Sequence, residues 1–460
     1  MPLTSGAATE ADATSGRQTV PPVVAYVLLW FPLSSETFIF REVVQLRKRG
    51  MPVFAYSMYG ENLKGCSEEM RAYDGPVGRM GVRAAGRILA AFGRALRQRP
   101  GATWKLMREG FFRRMRNLEA LGENLWCFLA GFLLAEKCRE DGVQLIHAGW
   151  ANGPATAAWV ASRVTGIPFA FTGRAGDIYP EDGLLREKSR DALFIRTNNR
   201  TNVQWLRGFC PPDAADKVHA IYNSLTFRPR GQCAMHMQPP YRLLAVGRFA
   251  RTKGFPDLLT AMARLRREKV PVTLTLVGDG NWHRKLVKLR DDLGLTQDVD
   301  MPGFIPHDQI CGFMLDHDML IMPSVVHANG DRDGIPNVIM EALSHRMPVI
   351  STDVCGIAEV VMDGETGLLV PQRDPRALAD AVRRMAADRD AALAMAEAGR
   401  ARVEKLFDPT RNITAVYDLY VEQCARAAGS TDGAGAADAV GGQQQKIYGP
   451  TSAHEEKEEL

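Results

Sequence analysis

Residues 323–349 read PSVVHANGDRDGIPNVIMEALSHRMPV, and two acids stand in that stretch, Asp333 and Glu341, with seven residues between them. Pro336 suits the first position of a helix. A helix is expected over 337–345, stopped by Pro348 and by a strand at 349–352. Asp333 then lies in the loop before the helix and Glu341 inside it. The helix start between them offers unpaired backbone N–H groups and a partial positive charge, which together make a site for a phosphate group. Two carboxylates flanking an anion site suit a ligand with a sugar on one side and a ribose on the other, the layout of a nucleotide sugar.

The same strand-and-helix rhythm spreads in both directions from this stretch. Residues 23–29 (VVAYVLL) form a near-continuous apolar run, as a buried parallel strand requires. A helical pattern follows to Gly50, with Ser34 or Ser35 able to cap it. Further strands are expected at 53–57, 145–148, 169–172, 192–197 and 218–222. The alternation indicates a doubly wound α/β architecture. Residues 226–240, rich in proline and without a clean period, are the expected linker. Beyond them the rhythm restarts, with strands at 243–246, 272–277, 300–302, 319–322, 349–352 and 368–370. Helices are expected at 255–269, 283–293, 309–315 and 375–405. The chain thus reads as two Rossmann-like halves, 21–225 and 241–407, facing each other across a cleft where ligands bind at strand C-terminal ends.

Bulk properties narrow the function classes. With 460 residues, 46% hydrophobic and 24% charged, the chain has ample length for two large cores. A net charge of +4 argues against nucleic-acid binding by the whole protein. Its eight cysteines are scattered without a CxxC pair or Cys/His cluster, so reduced thiols are expected rather than a disulfide framework. The first twenty residues lack the basic start and apolar run of a secretory signal, and no long uncharged apolar stretch suggests a spanning helix. A cytoplasmic protein, peripheral on the cytosolic face of the membrane, is expected. Residues 1–20 and 427–460 are expected to be disordered tails.

The second half resembles the family 4 retaining glycosyltransferases of the GT-B fold. The resemblance rests on Val246-Gly247-Arg248-Phe249 with Lys253-Gly254, on Leu276-Val277-Gly278-Asp279-Gly280, and on Pro302-Gly303-Phe304-Ile305-Pro306. It continues through Met322-Pro323-Ser324, the Asp333/Glu341 pair, Gly356-Ile357-Ala358-Glu359 and Thr366-Gly367-Leu368-Leu369-Val370-Pro371, all in matching order and spacing. In the first half, Phe31-Pro32, Ser35-Glu36-Thr37-Phe38-Ile39, Ile146-His147-Ala148 and residues 171–179 (FTGRAGDIY) are similar to the subgroup that builds exopolysaccharide, colanic-acid-type and lipopolysaccharide sugars. The resemblance covers roughly Val24 to Arg426, and it implies that residues 408–426 cross back onto the first domain.

The resemblance also implies roles. Arg248 and Lys253 match a basic pair that neutralises the leaving diphosphate. Glu341 matches the acid that holds the ribose hydroxyls. Asp333, one methylene shorter than the family's usual glutamate, matches the acid at the donor sugar. Gly334, Ile335 and Pro336 form the turn whose backbone approaches sugar and phosphates, with the N–H groups of Asn337 and Val338 as phosphate donors and Gly334 a glycine so that nothing blocks the approach. Phe304, Ile305 and Glu359 are further donor-binding candidates. Arg174 stands where many relatives have histidine; arginine cannot act as a base at neutral pH but can contact a phosphate or an acidic sugar. Asp177 is expected to orient Arg174 by an ion pair. His147, Asp177 and Ser35 are placed on the acceptor side, with a satisfied structural histidine the other reading of His147. A UDP- or GDP-linked hexose donor, a lipid-linked glycan acceptor and no cofactor or metal are implied. The alternatives are a GT-B nucleotide-sugar 2-epimerase and a non-catalytic nucleotide-sugar binder.

Residues 79–116 carry eleven Lys/Arg and one acid, Glu109, interleaved with apolar residues and broken at Pro100-Gly101. Two basic amphipathic helices of this kind suit an anionic membrane surface, at about 1 kcal/mol per basic residue near it. A solvated helical hairpin packed on the first domain is the other reading.

Overall fold

The computed structural model describes residues 20–110, 118–180, 183–224 and 237–432. Seven strands build the first sheet: β1 (Val24–Leu33), β2 (Val53–Asn62), β3 (Val77–Arg79), β4 (Leu145–Ala148), β5 (Phe169–Gly173), β6 (Ile195–Thr197) and β7 (Val218–Ala220). Their order is β3-β2-β1-β4-β5-β6-β7, every pair parallel. Six more build the second: β8 (Tyr241–Val246), β9 (Val272–Val277), β10 (Val299–Gly303), β11 (Met319–Met322), β12 (Val349–Thr352) and β13 (Leu368–Val370), in the order β10-β9-β8-β11-β12-β13 and again parallel. Helices cover both faces of each sheet, so central strands such as β11 (MLIM) are buried along their whole length.

This order places the site. In the first sheet the chain winds outward from β1 to β3, then returns to the other side of β1 at β4. The second sheet repeats the pattern around β8 and β11. A crevice opens at the carboxyl end of two strands whose connections run in opposite directions. In the first domain that crevice is bordered by the loops after β1 and β4, and in the second by those after β8 and β11. Most of the sequence-predicted donor residues lie on the latter two.

The loops after β8 and β11 touch main chain to main chain. Residues Arg251–Lys253 form a 3-10 turn, and Gly254 follows at φ +63°. A Cβ at Gly254 would lie 1.8 Å from the Pro323 carbonyl oxygen, so only glycine fits. The Val325 N–H donates to the Thr252 carbonyl at 2.9 Å and closes the contact. Gly278, at φ +147°, approaches Gly247 in the same way, with a Cβ falling 2.0 Å from its carbonyl oxygen.

The helix Pro409–Asp432 leaves the second domain and packs on the first, burying Ile413, Val416, Leu419 and Tyr420 with Tyr26, Phe40 and Val43. The chain passes between domains twice, and the two passages are neighbours. Asn412, 6% exposed, donates to the Leu406 carbonyl at 2.8 Å and to the Asn223 carbonyl at 3.5 Å. The rings of Tyr222 and Phe407 meet edge to face at 5.2 Å beside it.

Several expectations change. The helix expected over 375–405 is two, Pro375–Ala387 and Arg389–Leu406, because Asp388 leaves helical geometry and accepts from the Ala391 N–H as an N-cap. The last helix runs on to Asp432, so residues 427–432 are helical rather than tail. Of the expected linker 226–240, only 237–240 are described, and Met237 is core, its N–H donating to Asp318 at 3.0 Å. The tails at 1–19 and 433–460 lie outside the described residues. Neither Ser34 nor Ser35 caps the helix Thr37–Lys48; Glu36 holds the cap position without a side-chain bond. Strand β3 and its Arg79 precede the basic helices, which span Ala85–Gln98 and Pro100–Gly110, while 111–117 lie outside the described residues.

Those helices bury Ile88, Ala91 and Leu106 and are tied down by a two-pronged Arg94–Glu136 pair at 2.7 and 2.8 Å. They leave Leu89, Leu96 and Trp104 exposed, with Val82 just before them. No described helix is long and apolar enough to cross a membrane.

Gly254→Ala must open the contact with Pro323. It is expected to cost on the order of 3 kcal/mol in chemical denaturation and to disorder Lys253. Wild-type stability in this variant would show that the two loops are not locked together.

Candidate functional site

Lys253 ends the 3-10 turn and Asp333 ends the loop after β11. The locked loops bring Lys253 Nζ to 3.1 Å from Asp333 Oδ2, with both side chains less than one-fifth exposed. Ser324 Oγ donates to the same oxygen at 2.9 Å, so Asp333 is held from two sides. Arg251 and Asp331 repeat the pairing at 3.8 Å, farther out. Below Asp333 the helix Asn337–Ser344 begins, with Pro336 as N-cap rather than first helical residue and with no side-chain cap. Its first N–H groups, from Asn337 and Val338, therefore remain available to an anion. Arg248 is exposed on the turn after β8 and makes no hydrogen bond or ion pair among the described residues.

Glu341 lies one turn into that helix. Its Oε1 meets His307 Nε2 at 2.9 Å, at the mouth of a cavity of about 730 Å³ between the domains. Cys311 and His345 line the same cavity from the second domain, and Arg41 and Gln45 line it from the first. Phe304 is 73% exposed nearby, while Ile305 packs on the second core.

The first domain departs more from expectation. His147, expected on the acceptor side, has no exposed surface. It stacks between Tyr26 and Tyr420, with ring centroids 5.0 and 5.1 Å away, and its Nε2 meets Thr172 Oγ1 at 2.9 Å. Burial holds its pKa well below the usual histidine range, with Arg196 and Arg174 adding to the effect. It is a core residue and cannot touch an acceptor. Asp177 is also buried, and burial raises its pKa. It orients Arg174 through the main chain rather than by an ion pair. Oδ1 accepts from the Arg174 and Ala175 N–H groups at 2.8 and 3.1 Å, and Oδ2 accepts from Ala151 at 2.7 Å. This ties the loops after β4 and β5 together and leaves no oxygen for an acceptor. Ser35 is exposed on the loop after β1.

Arg174 is 5% exposed, with its guanidinium over the rings of Phe38 at 4.5 Å and Trp150 at 5.1 Å. It donates to Asn223 Oδ1 at 2.8 Å, beside the first interdomain passage. Its carbonyl, not its charge, faces Gly334. A Cβ at Gly334 would sit 3.6 Å from the Ala175 Cβ, which is ordinary contact. No protein atom among the described residues crowds that position.

Glu359, expected at the donor, caps a helix of the opposite domain. Oε2 accepts from the Arg200 N–H at 3.0 Å and the Tyr222 hydroxyl at 2.5 Å; Oε1 accepts from the Thr201 N–H and hydroxyl, both at 2.9 Å. A carboxylate at the start of the helix Arg200–Arg207 is favoured by the helix dipole and by charge-assisted bonds. Arg332 stacks on Tyr179 at 3.9 Å across the same interface. Thr201 and Tyr222 carried no local sequence signal, whereas Ser324 stood inside the quoted Met322-Pro323-Ser324 motif without a role.

Residues 236–402 match the family model "Glycosyl transferases group 1". The match covers the second domain, and that segment carries the group 1 glycosyltransferase pattern. The putative colanic acid biosynthesis glycosyltransferase WcaL of Salmonella typhimurium is 26% identical over 372 residues, 77% of this chain and 88% of that one. The amylovoran biosynthesis glycosyltransferase AmsK of Erwinia amylovora is 29% identical over 199 residues, 43% of this chain and about half (48%) of the relative. The structure of Anabaena Alr3699/HepE in complex with UDP and glucose superposes with a TM-score of 0.63, at 17% identity, covering 86% of this chain and 98% of that one. The fold is GT-B.

One acid in the cleft was not singled out from the sequence. Glu36, in the loop after β1, is pushed up to about 7 by burial, with Asp177 adding and with Trp150 and Arg174 opposing. An acid whose folded pKa lies above its unfolded value costs nothing below the unfolded pKa; the cost then grows as pH rises to the folded pKa and stays constant above it. The window here runs from about 4.5 to about 7. Glu36→Gln is expected to be more stable than wild type at pH 8, by on the order of 1–3 kcal/mol, with the gap closing by pH 4.5. Thermal unfolding at both pH values measures this, and an unchanged gap would contradict it.

Proposed function

We propose that the protein transfers a hexose, with retention of configuration, from a UDP- or GDP-linked donor to a growing, lipid-linked glycan of an exopolysaccharide or lipopolysaccharide. It does so as a family 4 enzyme. The observation that carries this is the Lys253–Asp333 pair, held by Ser324 in front of the uncapped helix Asn337–Ser344. A diphosphate at that helix start receives the Asn337 and Val338 N–H groups. It also draws on Lys253, the nearest cation, and on Arg248, which no protein acid occupies among the described residues. Asp333, released in part from Lys253, faces the donor sugar hydroxyls. Glu341 exchanges His307 for the ribose hydroxyls. The relatives that build colanic acid and amylovoran support the class of product, and as transferases they speak against an epimerase.

Retention with a diphosphate leaving group needs no enzymic nucleophile. The acceptor hydroxyl attacks from the face that the diphosphate leaves, and a leaving phosphate oxygen takes its proton. The protein's share is positioning and charge stabilisation, assigned here to Lys253, Arg248 and the helix start rather than to a metal. Lys253→Ala and Glu341→Ala are each expected to lower transfer at least ~100-fold, read as nucleotide release in the presence of acceptor, with unchanged circular dichroism. Full activity in either folded variant would overturn the site.

The basic helices complete the proposal. Leu89, Leu96 and Trp104 are exposed among Arg83, Arg87, Arg97, Arg99, Lys105 and Arg108, as a surface lying in an anionic bilayer interface requires. Such a surface brings the cleft to a lipid-linked acceptor. The protein is expected to co-sediment with phosphatidylglycerol vesicles at low salt and to be released as salt rises. A protein that stays in the supernatant at low salt would remove the membrane from the proposal.

A further inference from the structure

Cys311 and His345 lie side by side on the second domain's wall of the interdomain cavity, with Cys311 Sγ 3.1 Å from His345 Nε2. The other ring nitrogen fixes the tautomer. His345 Nδ1 lies 2.8 Å from the Glu341 carbonyl oxygen, which only accepts, so Nδ1 bears the proton and Nε2 presents its lone pair to the thiol. The helix register builds this third contact: His345 follows Glu341 by four residues and bonds to its carbonyl one turn back. The imidazole is 8% exposed and held, while the thiol is partly open to the cavity. A nucleophile in contact with a base, and a base oriented by a third group, is the arrangement that activates a thiol. Two other partly open thiols lack it. Cys210 donates to the Leu206 carbonyl and Cys355 to the Asn202 side-chain oxygen, and burial raises both.

We propose that Cys311 is a modification site, a thiol activated by His345 for attack on small electrophiles and hydroperoxides at the edge of the nucleotide pocket. With a hydroperoxide, the thiol proton passes to His345 and sulfur attacks the terminal peroxide oxygen. The S–O bond forms as the O–O bond breaks. Sulfur is oxidised to sulfenic acid, the peroxide oxygen is reduced, and the departing oxygen takes the proton from His345. With an alkyl iodide, sulfur displaces iodide and the proton leaves through His345. Either adduct sits on the helix His307–Asp316, one turn after His307, the partner of the Glu341 carboxylate. The location beside the nucleotide rests on the proposed function; the thiol chemistry does not.

A timed pulse of iodoacetamide on the full chain, read by peptide mass spectrometry, tests this. Cys311 is expected to be carbamidomethylated on the order of 10-fold faster than Cys210 and Cys424, and His345→Asn to bring it down to their rate while thermal unfolding is unchanged. Hydrogen peroxide is expected to inhibit transfer by wild type and to spare Cys311→Ser. UDP or GDP is expected to slow the labelling of Cys311 alone. Labelling of wild-type Cys311 no faster than Cys424, or equal labelling in folded His345→Asn, overturns the activated thiol. Fast, His345-dependent labelling that neither nucleotide slows upholds the thiol and overturns the siting of the nucleotide beside it.

Discussion

The site depends on an approach of main chain to main chain that no side chain permits. Gly254 lies against the Pro323 carbonyl, and Gly278 lies against Gly247. The first contact holds the loops after β8 and β11 at one distance, on opposite sides of the point where the sheet reverses its winding, and the second braces the loop after β8 against the loop after β9. Lys253 precedes the first contact by one residue, and Ser324 follows Pro323 by one. A cation and its paired carboxylate are thereby set by backbone geometry rather than by their own attraction, which in a partly exposed pair is worth only about 1 kcal/mol.

The first domain contributes rigidity more than open chemical groups. Asp177 spends both oxygens on three backbone N–H groups. Arg174 is held under two aromatic rings, and Glu42 takes the buried Arg196 at 2.7 Å together with the Tyr26 hydroxyl at 2.8 Å. These side chains fix the loops after β1, β4 and β5 against one another. What remains accessible at the cleft is Ser35 in the loop after β1, with Arg41 and Gln45 on the helix that follows. The two domains already meet through Glu359, Tyr222 and Arg332, so the anion turn at Gly334 abuts the Arg174–Ala175 main chain.

The sequence made the second domain legible because its strands are short, apolar and bounded by glycines that have one geometric use each. Glycine at 254 and 278 announces a close approach even when its partner is unknown. Asp333 and Lys253 each stood out in the sequence, but their pairing did not, since it depends on two loops seventy residues apart. His147, Asp177 and Glu359 were misplaced for a common reason. A motif shows that a residue type recurs, whereas its direction relative to the cleft is set by packing. His147 points into a core closed by Tyr420, which comes from the far end of the chain. Glu359 serves a helix in the other domain. Nor does local periodicity register the break at Asp388, where one capping side chain divides a continuous apolar pattern.

Asn412 joins both interdomain passages within one side chain's span, and Tyr222 and Phe407 press together beside it. Two chain crossings set far apart would have pinned the halves against any relative movement, and a single crossing would have let them roll freely. Set side by side, as Asn223 and Asn412 are, they concentrate the covalent restraint on one edge of the cleft.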